Sequence, residues 1–344
     1  MPFQITTQPF GPLPSATEPI TEYILEHTES GEFITVLPGF GATLRRLVLR
    51  KGDKLFALLK TPESPQALVA DETHASALLY PFVSRIRHGI YMFEDESYTL
   101  KLNEASRDNA IHGFVYDKEF TVVEQEATDT SARLTMQYDY KGEFSGYPFP
   151  FLLTITYELV QADLLKLGSA HEEDKMSALR ISYSVRNTGP TRCPAAFGWH
   201  PYFMFSEEPI DNHLLELPGR TEISLDAKTM LPTGHYDRVA AERLDLYDNV
   251  LDTPFMIEPT GQHPDSSTFA ETSLISAKHN IRLVMGQETG EGKLNYMVCF
   301  TPPKRDSIAI EPLTSNVNAF NNGEGLTVLH PGGDLSGNIW VRLD

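Results

Sequence analysis

Strict alternation of apolar and polar residues recurs along this chain, and it constrains the fold more than any other feature. It runs unbroken through Leu153-Thr154-Ile155-Thr156-Tyr157-Glu158-Leu159, Arg133-Leu134-Thr135-Met136-Gln137-Tyr138-Asp139-Tyr140 and Arg180-Ile181-Ser182-Tyr183-Ser184-Val185-Arg186. Tyr98, Leu100 and Leu102 alternate in the same way with Thr99, Lys101 and Asn103, and Asn338-Ile339-Trp340-Val341-Arg342-Leu343 repeats the pattern near the end. Successive side chains of an extended strand point to opposite faces, so each run builds one dry face and one wet face. Turn chemistry separates the runs, as in Asn187-Thr188-Gly189-Pro190 and Glu288-Thr289-Gly290-Glu291-Gly292. Strands joined by short polar connections predict antiparallel sheets. Helical periodicity is scarce, and Asp71 to Leu78 is the one candidate for a short helix. The stretch from about Pro201 to Thr253 is rich in turns and predicts long loops over one sheet face. No linker, internal repeat or low-complexity run divides the chain. The expectation is an all-β, mostly antiparallel protein forming a single domain over 1–344.

Composition excludes several classes of function. The 344 residues are 41% apolar and 22% charged, with a net charge of -19. Such a surface repels polyanions, so neither nucleic acid nor an anionic membrane is an expected partner. No apolar stretch approaches a membrane span, and the N-terminus lacks the basic and apolar regions of a signal peptide. The expected compartment is the cytoplasm. Cys193 and Cys299 are too few for a disulfide framework. They read as two small buried apolar side chains, the alternative being one bridge between them.

Two stretches carry the chemistry. Gly198-Trp199-His200-Pro201-Tyr202-Phe203 sets one imidazole in an aromatic cluster, and Ile308-Ala309-Ile310-Glu311-Pro312-Leu313-Thr314 ends an apolar run with a carboxylate. If they converge on one pocket, His200 and Glu311 form an acid/base pair able to move protons at two oxygens of one small molecule. Trp199 is either a ring facing that molecule or a core residue. Gly39-Phe40-Gly41-Ala42-Thr43-Leu44 lacks the third glycine and the βαβ setting of a nucleotide loop, so it reads as a turn between strands. His171-Glu172-Glu173-Asp174 lacks the second histidine of a zinc motif and reads as a solvated loop.

These stretches, with others in the same order, resemble the aldose 1-epimerases (galactose mutarotases). Asn109-Ala110-Ile111-His112-Gly113 is similar to that family's Asn-x-x-His-Gly segment, and Gly146-Tyr147-Pro148 to its Gly-Tyr-Pro. His200-Pro201-Tyr202-Phe203 matches its His-Pro-Tyr-Phe, and Glu311-Pro312-Leu313-Thr314 with Ala319-Phe320-Asn321 matches its Glu-Pro-x-Thr and Ala-Phe-Asn. Pro331-Gly332 matches its closing Pro-Gly. The resemblance implies a large β-sandwich with few short helices and a site on the concave face of one sheet. It implies His200 as general acid, Glu311 as general base, and His112 holding the sugar beside its ring oxygen. Arg85 in Ser84-Arg85-Ile86 stands at the family's Asn-Arg-Ile arginine, with Ser84 in place of asparagine. Arg85 and Arg87 share one face of a strand, and either is positioned to be the ligand. Asp252 resembles the aspartate that accepts from sugar hydroxyls.

The implied reaction interconverts the α and β anomers of a free aldose, most simply a hexose. A hemiacetal opens when its anomeric hydroxyl loses a proton while its ring oxygen gains one. Rotation about the C1–C2 bond and reclosure then give the other anomer, with no metal, nucleotide or redox cofactor required. The expected starting state has Glu311 ionised and His200 protonated. Two rivals stand beside this one. A non-catalytic sugar-binding protein has no need of the pair, and a glycoside-cleaving enzyme needs a second carboxylate, for which Asp252 is the only candidate. A monomer or a homodimer is compatible with the sequence.

Overall fold

The computed structural model describes residues 1–14, 16–165, 176–206 and 208–344. The alternating runs become strands as their period requires. Ser131–Tyr140, Phe151–Gln161 and Ser177–Asn187 pair antiparallel in continuous register. Leu134, Met136, Leu153, Ile155, Ile181 and Tyr183 are buried, while Thr154, Thr156, Ser182 and Ser184 between them are half-exposed. Asp334–Leu343 pairs with Ser177–Asn187 on one side and Ile281–Thr289 on the other, so the last strand lies inside a ten-stranded sheet.

A second sheet of eight strands runs through Pro232–Val239, Arg220–Leu225, Asp252–Ile257, Tyr296–Phe300, Ile308–Leu313, Gly198–His200 and Ala77–Leu79. Tyr202–Phe203 adds a further pairing to Ile308–Leu313. Residues from the inner faces of both sheets belong to one apolar core, where Tyr183 stacks on Phe197 at 3.8 Å between ring centres. A five-stranded meander from Phe3 to Ala57 packs against the ten-stranded sheet. The architecture is the expected all-β, mostly antiparallel sandwich. Cys193 and Cys299 are both free and buried, which removes the bridged alternative.

Three local expectations are corrected. Asp71 to Leu78 is not helical. A short helix lies earlier, at Pro65–Val69, where Ser64 caps the amide of Ala67 and proline occupies the first turn, and another at Ala319–Asn322. The stretch from Pro201 to Thr253 is largely strand, including His213–Leu217, Arg220–Leu225, Pro232–Val239 and Glu242–Asp245. Pro232–Val239 is an edge strand with mostly exposed side chains, so no apolar alternation marked it. The run from Tyr98 to Asn103 is strand only as far as Thr99. Beyond it Asn103 turns to bond the backbone of Ile111 in both directions. The Gly39–Leu44 segment does form the turn between Glu32–Leu37 and Thr43–Lys51. His171–Asp174 lies outside the described residues. Among the described residues, no helix is long and apolar enough to cross a membrane.

Candidate active site

The site is built by the alternation of one strand. Ile308 and Ile310 enter the main core, whereas Ala309 and Leu313 belong to separate small clusters on the other face. Glu311 falls in phase with Ala309 and Leu313, so it points away from the core although neighbours of both phases are buried. It does not end the apolar run, because the strand continues to Leu313. The histidine strand behaves identically. Trp199 is wholly buried in the main core and donates from Nε1 to Ser76 Oγ at 3.1 Å, which assigns it to packing. His200 therefore faces the opposite way.

Register brings the two together. Gly198 pairs with Leu313, and Tyr202 pairs with Ala309. Continuing that register sets His200 directly across from Glu311. Pro201 has no amide to give the ladder, but its carbonyl accepts from the amide of Ile310 at 3.4 Å, so the alignment survives the interruption. Close approach needs a small residue at 198, since a Cβ there would lie 2.5 Å from Leu313 Cδ2. The outcome is His200 Nε2 at 3.3 Å from Glu311 Oε1, with side chains only 6% and 4% exposed.

Both groups border a cavity of about 850 Å³ whose lining also includes Ser84, Arg85, His112 and Asp252. That volume is within the range of small-molecule sites, roughly 300–1,000 Å³. His112 follows the strand Asn109–Ile111, which pairs with Arg85–Arg87. Its ring stands edge-on to that of His200 with centres 5.1 Å apart, and its Nδ1 has no protein partner among the described residues. Gly113 completes the turn. Its φ is +69°, and a Cβ would meet the Tyr80 carbonyl oxygen at 2.1 Å. Asp252 opens the strand Asp252–Ile257, paired with Phe300 on the next strand. The five residues singled out from sequence thus converge on one cavity. Arg85 and Arg87 do not share that position: Arg85 lines the cavity, whereas Arg87 is exposed and bonds His88.

Burial dominates the electrostatics. It lowers the pKa of His200 to about 3, and the nearby His74 adds to the effect. Burial also lowers His112 well below the ordinary imidazole value and raises Glu311 well above the ordinary carboxylate value, with Asp252 reinforcing the latter. Asp252 is itself raised by burial, against the pull of Arg85 and Arg107. Burial of the pair therefore favours neutral imidazole and protonated carboxyl, opposite to the starting state expected from sequence. Removing either charge from water costs more than one neighbour at 3.3 Å returns. The pair holds one proton in either distribution, and the two nearest atoms are close enough to exchange it.

Sequence reading missed two residues. His74 lines the cavity with its ring centre 4.9 Å from that of His112 and 4.9 Å from that of Tyr116. Its loop is tied by the Asp71 carboxylate, which accepts from the amides of Thr73 and Ala75, and by the Ser76 amide, which donates to the His200 carbonyl. His74 and Ser76 both adopt positive φ, at 54° and 63°, a strained geometry held by those bonds. The second is Glu104, which accepts from Arg85 Nε and Nη2 at 3.0 Å. No spacing in the sequence signals either residue, because each arrives on an irregular segment. Among the described residues, no group of three or more histidine, cysteine, aspartate or glutamate side chains is arranged to hold a metal ion.

The fold is a two-sheet, mostly antiparallel β-sandwich with an imidazole and a carboxyl paired at the border of one cavity. The aldose 1-epimerase family model matches residues 24–342, and the chain belongs to that family. It is 24% identical over 314 residues to the uncharacterized protein YihR of Escherichia coli K12, covering 88% of each chain. A probable aldose 1-epimerase of Arthroderma benhamiae is 22% identical over 211 residues, 59% of this chain and 46% of that one. In structure, a galactose mutarotase-like protein from Clostridium acetobutylicum superposes with a TM-score of 0.81 at 20% identity, covering 99% of this chain and 98% of the other. Galactose 1-epimerase from Lactobacillus acidophilus superposes with a TM-score of 0.76 at 17% identity, covering 99% of both. These structures share the fold.

Proposed function

We propose that the cavity binds a cyclic free aldose and that His200 and Glu311 interconvert its α and β anomers. The observation that carries this reading is the cross-strand pair itself, an imidazole and a carboxyl at 3.3 Å on the border of a cavity, holding one proton between them. In the reading, Glu311 removes the proton of the anomeric hydroxyl and His200 protonates the ring oxygen. The aldehyde rotates about C1–C2, the ring recloses, and the two groups exchange roles. Hydrogen bonds from bound sugar hydroxyls and the nearby charge of Arg85 favour the ionised carboxylate, offsetting the burial that holds the empty pair neutral. His112 donates or accepts beside the ring oxygen, Arg85 donates to a hydroxyl and Asp252 accepts from one. Each positioned proton-transfer group contributes roughly 10²–10⁴-fold. The protein acts on a hexose as a monomer or homodimer in the cytoplasm, with 1–344 as one unit.

Polarimetry on freshly dissolved single anomers tests the proposal. Wild-type protein accelerates equilibration of at least one aldose, and Glu311→Gln and His200→Asn each lose at least about a hundredfold of that acceleration. Variants that keep the wild-type rate would overturn the assignment. Sugar binding with no acceleration by wild type would favour a non-catalytic carbohydrate-binding protein on this scaffold.

A further inference from the structure

The cavity contains two guanidinium groups, and a single carboxylate engages both. Glu104 accepts from Arg85 Nε and Nη2, each at 3.0 Å, from Arg107 Nη1 at 3.2 Å and from Asn109 Nδ2 at 3.0 Å. The Arg85 and Glu104 side chains are only 13% and 12% exposed, so the charge-assisted bonds between these two are shielded from water. The backbone fixes the carboxylate as well, because Glu104 and Asn109 form a β-bridge with the Glu104 amide donating to the Asn109 carbonyl.

Two consequences follow for a ligand. The fork of Arg85 is committed through Nε and Nη2, leaving Nη1 without a hydrogen-bond partner among the described residues. Its charge is also offset where it stands. Six carboxylates border the cavity, against the guanidinium groups of Arg85 and Arg107 alone, so five face those two even with Glu311 protonated. The local field has the same sign as the protein's net charge of -19.

We propose that Glu104 sets the charge class of the ligand: it holds Arg85 as a hydrogen-bond donor to an uncharged sugar and cancels the positive charge that a sugar acid or sugar phosphate would need. The inference rests on the reading that this cavity holds a cyclic aldose. Glu104 is a positioning residue, acting through Arg85.

The test compares matched sugars, glucose and galactose with their uronates and 6-phosphates, using calorimetry for binding and polarimetry for anomer exchange. Wild type is expected to prefer the uncharged member of a set at least tenfold. Glu104→Gln, which keeps the shape and removes the charge, reduces that preference at least tenfold by improving the anions. Glu104→Asp retains the preference. For wild type alone, the penalty on the anions shrinks as salt is raised, a readout that does not depend on any variant folding. Equal use of charged and uncharged sugars by wild type, or an unchanged ratio in Glu104→Gln, overturns the inference. Preferred exchange of an anionic sugar leaves ring opening standing and removes the role of Glu104. Charge-selective binding that depends on Glu104, without any accelerated exchange, does the reverse.

Discussion

His200 and Glu311 are a cross-strand pair: two short strands on either side of Pro201 both align with Ile308–Leu313, and their common register sets imidazole and carboxyl 3.3 Å apart. Antiparallel neighbours on one face interact directly. Here the interacting groups are titratable, buried and at the edge of a cavity.

In the proposed reaction the pair works with one proton between two groups, so the rate should follow the pH range of that one-proton state. Burial lowers His200 to about 3 and raises Glu311, which widens the range at both ends. The profile of accelerated mutarotation, corrected for the uncatalysed rate, is expected to be bell-shaped, its acid limb displaced below pH 4.5 by the depressed His200 and its alkaline limb set by the raised Glu311. A decline of tenfold per pH unit starting near 6.5 would instead indicate an isolated imidazolium and would contradict sharing.

The same burial costs stability. Glu311 has a folded pKa above its unfolded value of 4.5, so its contribution is fully present below pH 4.5 and is lost as pH rises through the folded value. His200 has the opposite sign: depressed below 6.5, its contribution is complete above pH 6.5 and lost as pH falls towards about 3. His200 is present in both wild type and Glu311→Gln, so the difference between them reports the Glu311 effect. From pH 4.5 upward Glu311→Gln should therefore gain stability over wild type, by up to about 1.4 kcal/mol per pH unit, until the folded value of Glu311 is passed. Denaturant melts of both proteins across that interval decide it, and parallel curves would refute the burial argument.

His74 presents a third imidazole to the cavity. Burial lowers its pKa, and a neutral imidazole keeps one ring nitrogen as an acceptor. Replacing it by phenylalanine preserves ring packing on His112 and Tyr116 and removes that acceptor. The expected result is a KM raised about tenfold, the scale of one hydrogen bond to a bound hydroxyl, with kcat within about twofold. A fall in kcat at constant KM would place His74 in the chemistry instead.

What the sequence determined by itself was everything that rests on period. Alternation announced the strands Ser131–Tyr140, Phe151–Gln161, Ser177–Asn187 and Asp334–Leu343, because a half-buried strand writes its burial into every second residue. Motif order singled out His200, Glu311, His112, Arg85 and Asp252, which the fold gathers around one cavity. Tertiary structure alone decided the rest. Pro232–Val239 is a strand that period could not announce, since an exposed edge needs no apolar face. His74 and Glu104 reach the cavity on irregular backbone, where spacing along the chain says nothing about spacing in space. The choice between Arg85 and Arg87 depended on which side chain the fold turns into the cavity, and only Arg85 of the two lines it. The protonation of the central pair was also beyond the sequence, because it depends on how much water the surrounding sheets exclude.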